Sequence, residues 1–226
     1  SADYSQIELR IMAHLSGDAA MLEGFSHGAD IHTATAARIF GKSAEDVTSD
    51  ERRKAKAANF GIIYGMSAFG LAQRMEIPRG EAKQFLEEYF RNYPGIKEYI
   101  GKAVSLAHER CYVETMFGRR RYLPDINSRN HNVSALAERN AVNAPIQGSA
   151  ADIIKMAMIN VWNRLKREGL RTRMVLQIHD ELIFDVAPGE RDAVLALVRD
   201  EMEHVCALKV PLTVECNYGR NWKEAH

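Results

Sequence analysis

Three separated segments of this chain carry the residue types needed for metal-assisted phosphoryl transfer. The first is Asp3-Tyr4-Ser5-Gln6-Ile7-Glu8-Leu9-Arg10, and the last is Gln177-Ile178-His179-Asp180-Glu181, set between two apolar runs. Single carboxylates are ordinarily surface residues. Asp180 and Glu181, however, occupy a tight connection where Gly or Asn is the usual choice. Acids have a purpose there if a cation is bound, because Mg²⁺ prefers a few carboxylates supplemented by phosphate oxygens. If Asp3 meets Asp180, the pair can hold two ions, one activating a 3′-hydroxyl and one stabilising a departing pyrophosphate.

The middle segment, Arg52 to Gly65, is a basic stretch ending in aromatics. Arg52, Lys56 and Phe60 recur at every fourth position and share a helical face, which Tyr64 extends. Taken alone, that face is an ordinary solvated cationic surface with Phe60 turned to the core. Opposite a pair of acids, it becomes a grip for a triphosphate with a ring to pack on the sugar. Arg139, Asn143 and Gln147 form a further polar set on a helix and the loop after it. Their donors suit the N3 and O2 acceptors of a minor groove, which report base-pair shape rather than identity.

Bulk properties narrow the class. With 226 residues, 46% hydrophobic and 27% charged, this is ordinary globular composition with ample length for a core. Thirty basic residues offset thirty acidic ones, so net charge gives no reason to expect nucleic acid. Only local clusters such as Arg119-Arg120-Arg121 do so, and a run of this kind is as readily a solvated face. Cys111, Cys206 and Cys216 are dispersed, odd in number and without metal-ligand spacing, the pattern of reduced thiols in a cytoplasmic protein. No apolar run long enough for a membrane span and no signal-peptide pattern is present, so no membrane partner is expected. Ser1 stands directly before the first motif without an initiator Met, so the chain is expected to be a piece of something longer.

The elements that must position these residues follow from periodicity and punctuation. Tyr4 to Leu9 alternates like a short strand, and Arg10 to Leu15 has helical spacing. Ile31 to Phe40 reads as a helix stopped by Gly41. Thr48 and Glu51 form a capping box that starts the basic helix, with Gly65 as its terminator. Helices are expected over Glu81 to Tyr93, after a turn at Ile77 to Gly80, and over Ile96 to Arg110. A hairpin joins Tyr112–Met116 to Arg121–Leu123. Val133–Asn143 and Ala150–Glu168 read as two helices interrupted by Pro145-Ile146-Gln147-Gly148. Met174–Ile178 and Leu182–Val186 are strands flanking His179-Asp180-Glu181; Arg191–Val205 is an amphipathic helix and Leu212–Cys216 a closing strand. The order predicts an α+β fold, a helical insertion inside a small sheet.

In order and wording, Asp3 to Arg10, Arg52 to Gly65, Arg139 to Gly148 and Gln177 to Glu181 resemble the motifs of the A-family (DNA polymerase I-like) DNA polymerases, and the resemblance covers essentially the whole chain. It implies a small antiparallel palm sheet with a large helical fingers insertion: residues 1–26 and 128–226 as palm, 27–127 as fingers. It implies a template-directed DNA polymerase with two Mg²⁺ ions, primer-template DNA and deoxynucleoside triphosphates as partners, and a monomer. By the same resemblance, Asp3, Asp180 and the Tyr4 carbonyl are the metal ligands, Glu181 is the acid near the primer end, and His179 is a primer contact. Arg52, Lys56, His32 and Gln6 are phosphate contacts, with Lys56 also the proton donor to pyrophosphate. Glu8 resembles a steric gate against a ribose 2′-hydroxyl, Phe60 the ring on the incoming sugar, and Tyr64 the template-side end of the helix. Arg139, Asn143 and Gln147 resemble minor-groove and template contacts. A thumb and any exonuclease domain are expected to lie outside these residues. A single-subunit RNA polymerase is the alternative of similar architecture, disfavoured by a carboxylate at Glu8. A non-catalytic nucleic-acid-binding module is the alternative of another class, disfavoured by Asp3, Arg52, Lys56 and Asp180 occurring together.

Overall fold

The computed structural model describes residues 1–26, 28 and 30–225. It is an α+β fold in which a four-stranded sheet draws its strands from both ends of the chain. In chain order the elements are β1 (Ala2–Tyr4), α1 (Ile7–Ser16), α2 (Ala19–Ser26), α3 (Ile31–Phe40), α4 (Ser49–Ile63), α5 (Ala68–Met75), α6 (Arg79–Asn92) and α7 (Pro94–Arg110). There follow β2 (Tyr112–Glu114), β3 (Arg120–Tyr122), α8 (His131–Arg167), β4 (Arg173–Ile178), β5 (Glu181–Asp185), α9 (Arg191–Glu203), β6 (Val214–Cys216) and α10 (Trp222–Ala225). The sheet order is β4-β5-β1-β6, with every neighbouring pair antiparallel, and β2–β3 form a separate hairpin. The expected boundary between the first two segments falls at His27, which lies outside the described residues.

Two sequence expectations are corrected. Tyr4 to Leu9 is not a strand: β1 ends at Tyr4, Gln6 turns the chain in the left-handed region (φ 57°), and α1 has begun by Ile7. Arg10 holds that corner, its guanidinium donating to the carbonyls of Ser5 at 2.8 Å and Pro211 at 2.6 Å and lying 4.7 Å from the Phe25 ring centroid. The alternation of polar and apolar residues over Tyr4–Leu9 is also compatible with a helix that buries Ile7 and Leu9 and leaves Glu8 part-covered. Nor does Pro145 interrupt α8, which runs unbroken for 37 residues. Proline removes one i→i−4 hydrogen bond, that to the Ala141 carbonyl, but Pro145 is buried among tertiary neighbours that hold the helix through it. Packing outweighs the local breaker.

Smaller differences are of length. Closing strand β6 is three residues, α6 begins at Arg79 inside the expected turn, and α7 begins at Pro94, where a missing N–H carries no penalty. The capping box forms as expected, with both Thr48 and Glu51 engaged. Most buried apolar residues belong to one core spanning the sheet, α1, α4, α6, α8 and α9. A second cluster, Ala107, Val113, Leu123, Ile126, Ala137, Ala141 and Ala144, seats the β2–β3 hairpin between α7 and α8.

Candidate active site

The first and third motifs meet edge to edge. Asp3 is the register partner of Glu181 across β1–β5, and the Tyr4 N–H donates to the Asp180 carbonyl at 3.3 Å. Asp180 sits at the β4–β5 turn, whose shape depends on His179 in the left-handed region (φ 53°) and on Gln177 Nε2, which donates to the His179 carbonyl at 2.9 Å. Gln6 and His179 are thus two non-glycine residues with positive φ on one site. Such backbone strain collects where a functional arrangement requires it.

Asp3, Tyr4, Gln6, Glu8, Phe60, Tyr64, Gln147, His179 and Asp180 all line one open cleft of about 620 Å³, completed by Ile7, Ala150, Ala151 and Gln177. One wall is β1 with the start of α1, a second the end of α4, and a third the middle of α8. Tyr64 Oη donates to Glu8 Oε2 at 2.8 Å, and Gln147 lines the same cleft. The two acids facing each other here are both less acidic than usual. Burial raises Asp180, with Glu181 adding repulsion; burial raises Glu8, with the Tyr64 hydrogen bond working against the shift and Asp180 adding to it. Tyr64 is pushed up to about 12 by burial and by the Glu8 carboxylate. Only the repulsion between these carboxylates, the smaller cause, is one that a cation would relieve.

Farther along α4, Arg52 and Lys56 do not line the cleft; both are exposed on the helix face leading to it. Arg52 Nε pairs with Asp30 Oδ2 at 2.5 Å, and Asp30, the N-cap of α3, also accepts from the His32 N–H and Thr33 Oγ1. Lys56 has no ion pair among the described residues. His32 is buried, 5.7 Å from the Phe60 ring, and burial lowers its pKa to about 4, so the imidazole is neutral near pH 7. Asn59 Nδ2 lies 3.1 Å from His32 Nδ1 and 3.1 Å from Thr35 Oγ1, and Thr35 Oγ1 meets Tyr93 Oη at 3.0 Å. This buried network fixes α4 on α3 and α6. With Nδ1 accepting from the amide, Nε2 carries the ring proton.

On α8, Arg139 is exposed against Gly65: a Cβ on that glycine would lie 2.8 Å from Arg139 Cγ. Asn143 Oδ1 is buried with no hydrogen-bond partner among the described residues, an acceptor still to be satisfied. Glu181 is brought beside Asp3 in register but not into the cleft lining. It is buried, and its carboxylate accepts from the Trp222 indole at 3.2 and 3.3 Å. Sequence reasoning gave no role to Asp30, Asn59 or Gln177. For Asp30 the signal was present, an N-cap Asp followed by an apolar helix start; for Asn59 nothing local distinguishes it.

The family model for DNA polymerase family A matches residues 1–224. DNA polymerase I of Lactococcus lactis is 54% identical over 226 residues, covering 100% of this chain and 26% of the relative. DNA polymerase I of Geobacillus stearothermophilus is 53% identical over 225 residues, again covering 26% of the relative. The chain therefore spans about a quarter of the length of these curated relatives. A solved structure described as the POL domain of Pol1 from M. smegmatis, in complex with DNA primer-template and dNTP, superposes with a TM-score of 0.96 at 50% identity, covering 99% of this chain and 40% of that one. With the family model matched almost end to end, this chain belongs to DNA polymerase family A.

Proposed function

We propose that the cleft is the nucleotidyl-transfer centre of a template-directed DNA polymerase. The primer 3′-oxygen bonds to the α-phosphorus of a deoxynucleoside triphosphate, and the bond from that phosphorus to pyrophosphate breaks. The observation that carries this reading is the meeting of Asp3 and Asp180 at a cleft whose far wall is the aromatic end of the cationic helix α4. The donor set there, two carboxylates and a main-chain carbonyl, is all oxygen and suits Mg²⁺. Asp3, Asp180 and the Tyr4 carbonyl are the groups that would hold two such ions. When bound, Mg²⁺ offsets charge on the attacking and leaving oxygens.

The chain's own side chains supply the rest. Arg52 and Lys56 bind the triphosphate, Arg52 leaving Asp30 to do so, and Gln6 and neutral His32 add uncharged donors. Lys56 stabilises the leaving pyrophosphate and gives it a proton. Phe60 packs on the sugar, and Glu8, held by Tyr64, leaves no space for a 2′-hydroxyl. Tyr64 closes the template side; Arg139, Asn143 and Gln147 take minor-groove acceptors, and His179 takes the primer strand. Glu181 adds negative charge behind Asp180. Residues 1–26 and 128–226 act as palm and 27–127 as fingers, in a monomeric cytoplasmic enzyme. No helix among the described residues is long and apolar enough to cross a membrane.

Asp180→Asn, which keeps volume and removes charge, tests the reading. In the full-length protein it should abolish primer extension while primer-template affinity stays within about twofold, since the lost interaction belongs to the transition state. Normal turnover by Asp180→Asn would remove the two-ion reading.

A further inference from the structure

The β2–β3 hairpin lies outside the cleft, yet three of its residues converge on one turn of α8. Met116 N–H donates to Ser149 Oγ at 2.9 Å, and that hydroxyl donates onward to the Pro145 carbonyl at 2.5 Å. Arg119 Nη2 donates to the Gly148 carbonyl at 3.2 Å, and the same guanidinium is ion-paired with Asp152, whose carboxylate is largely covered. Thr115 packs so closely on Gly148 that a Cβ there would lie 2.6 Å from its Cγ2. Thr115 also shapes the hairpin tip, its hydroxyl accepting from the N–H groups of Phe117 and Arg119. The α8 ends of these contacts, Pro145, Gly148, Ser149 and Asp152, all lie within five residues of Gln147, in a stretch where Pro145 has removed one helix hydrogen bond.

Gln147 is the hinge between two spaces. It lines the cleft with Asp3 and Asp180, and also a smaller pocket of about 260 Å³ beneath the hairpin with Arg119, Arg120 and Arg121. It shares the cleft lining with Tyr64, whose hydroxyl donates to Glu8. Contacts therefore run from Asp152 and Arg119 to the Gly148 turn, next to Gln147, which lines the cleft with Tyr64 and the carboxylate that Tyr64 holds. Arg119 is not spare for other duty: both its partners are on α8, whereas Arg120 is paired with Glu114 and stacked on Tyr112.

We infer that Arg119 is a positioning residue, latching the hairpin to α8 so that the Pro145-weakened turn presents Gln147 to the primer-template and to Tyr64 in one orientation. The inference rests on the polymerase reading for what Gln147 does, but not for how it is held. Loss of the latch lets that turn move, so substrate is bound less well oriented and the effect on extension passes through Gln147.

A double-mutant cycle in the full-length protein tests this, with Arg119→Ala, Gln147→Ala and the pair. Each single variant should reduce kcat/KM for extending a primed template about tenfold, and the pair should be no worse than Gln147→Ala alone, since residues in one network are not additive. Arg119→Lys, which keeps the charge facing Asp152, should recover part of the loss. Additive losses, with a shallower salt dependence of DNA binding in Arg119→Ala, would mean that Arg119 grips a phosphate directly and would overturn the latch. The same proteins are also read without nucleic acid, by amide hydrogen exchange over residues 145–152. Faster exchange in Arg119→Ala supports the latch, and unchanged exchange overturns it. If the unmutated protein fails to extend a primer, the polymerase reading falls, while the exchange result still decides how the turn is held.

Discussion

At the scale of single residues, the chemistry of the cleft depends on groups whose protonation is set by their neighbours. Glu8 is part-buried with one donor, Tyr64 Oη, at 2.8 Å. Glu8→Ala should raise the use of ribonucleotides relative to deoxynucleotides by about tenfold or more, because removing the side chain opens the space that excludes a 2′-hydroxyl. Competition between the two sugars on one template reads this, and unchanged discrimination would sink the gate. His108 provides a prediction away from the cleft. Its Nδ1 faces Asn127 Oδ1 at 2.9 Å and its Nε2 faces Glu138 Oε1 at 3.1 Å, so both ring nitrogens have acceptors, and these hydrogen bonds raise its pKa. A raised folded-state value means this clamp contributes its stability in full below the unfolded value, about 6.5, and loses it as pH rises through the folded one. Imidazole titration by NMR should place His108 above that reference, and Glu138→Gln should bring it back down.

At the scale of elements, α4 and α8 are joined at their functional ends by a glycine. Gly65 sits at φ 64° with Arg139 Cγ 2.8 Å from where a Cβ would stand. Gly65→Ala therefore combines a left-handed backbone penalty of about 1–2 kcal/mol with displacement of Arg139. We expect a lower unfolding temperature and a weaker grip on primer-template, measured by thermal denaturation and by equilibrium binding; a neutral effect on both would show that the close approach is not required. The α4 start is legible for the opposite reason. Its capping box is made from residues three apart, Thr48 and Glu51, and needs nothing distant. The α8 interruption was misread because Pro145 and Gly148 are breakers only by local rules. Burial of Pro145 and the docked hairpin, which bonds Ser149, supply what those rules lack. The strand expected over Tyr4–Leu9 failed similarly: the Gln6 corner is held by Arg10 through Pro211, 201 residues away.

For the molecule as a whole, charge is balanced and its cations are local, thirty against thirty. Non-specific nucleic-acid affinity comes mainly from phosphate neutralisation and counterion release. The 226 residues on their own should therefore bind primed template weakly, with affinity falling steeply as salt rises. Fluorescence anisotropy across a salt series tests this, and tight binding at physiological salt would contradict it. Long-range integrity rests on buried carboxylate contacts such as Asp18, whose oxygens accept from the N–H groups of Met21 at 3.1 Å and Gly95 at 2.8 Å. Asp18→Ala strands one buried and one part-buried donor and should cost about 2–4 kcal/mol, seen as a shifted denaturation midpoint with an unchanged slope.

What the sequence by itself determined was what near neighbours decide: the cap of α4, the shared face of Arg52, Lys56 and Phe60, the strands around Asp180, and the α+β order. The motif residues were legible because their types and order are chemical. Tertiary structure decided which of them meet. It put Tyr64 on Glu8 across 56 residues, gave Arg52 to Asp30, buried His32 as a neutral ring, drew Glu181 to Trp222, and seated the hairpin against Gly148. Each of these depends on which surface covers which, and on the pKa and hydrogen-bond choices that burial imposes. Neither periodicity nor capping carries that information, because both are set within a few residues along the chain, while burial is set by segments that touch only after folding.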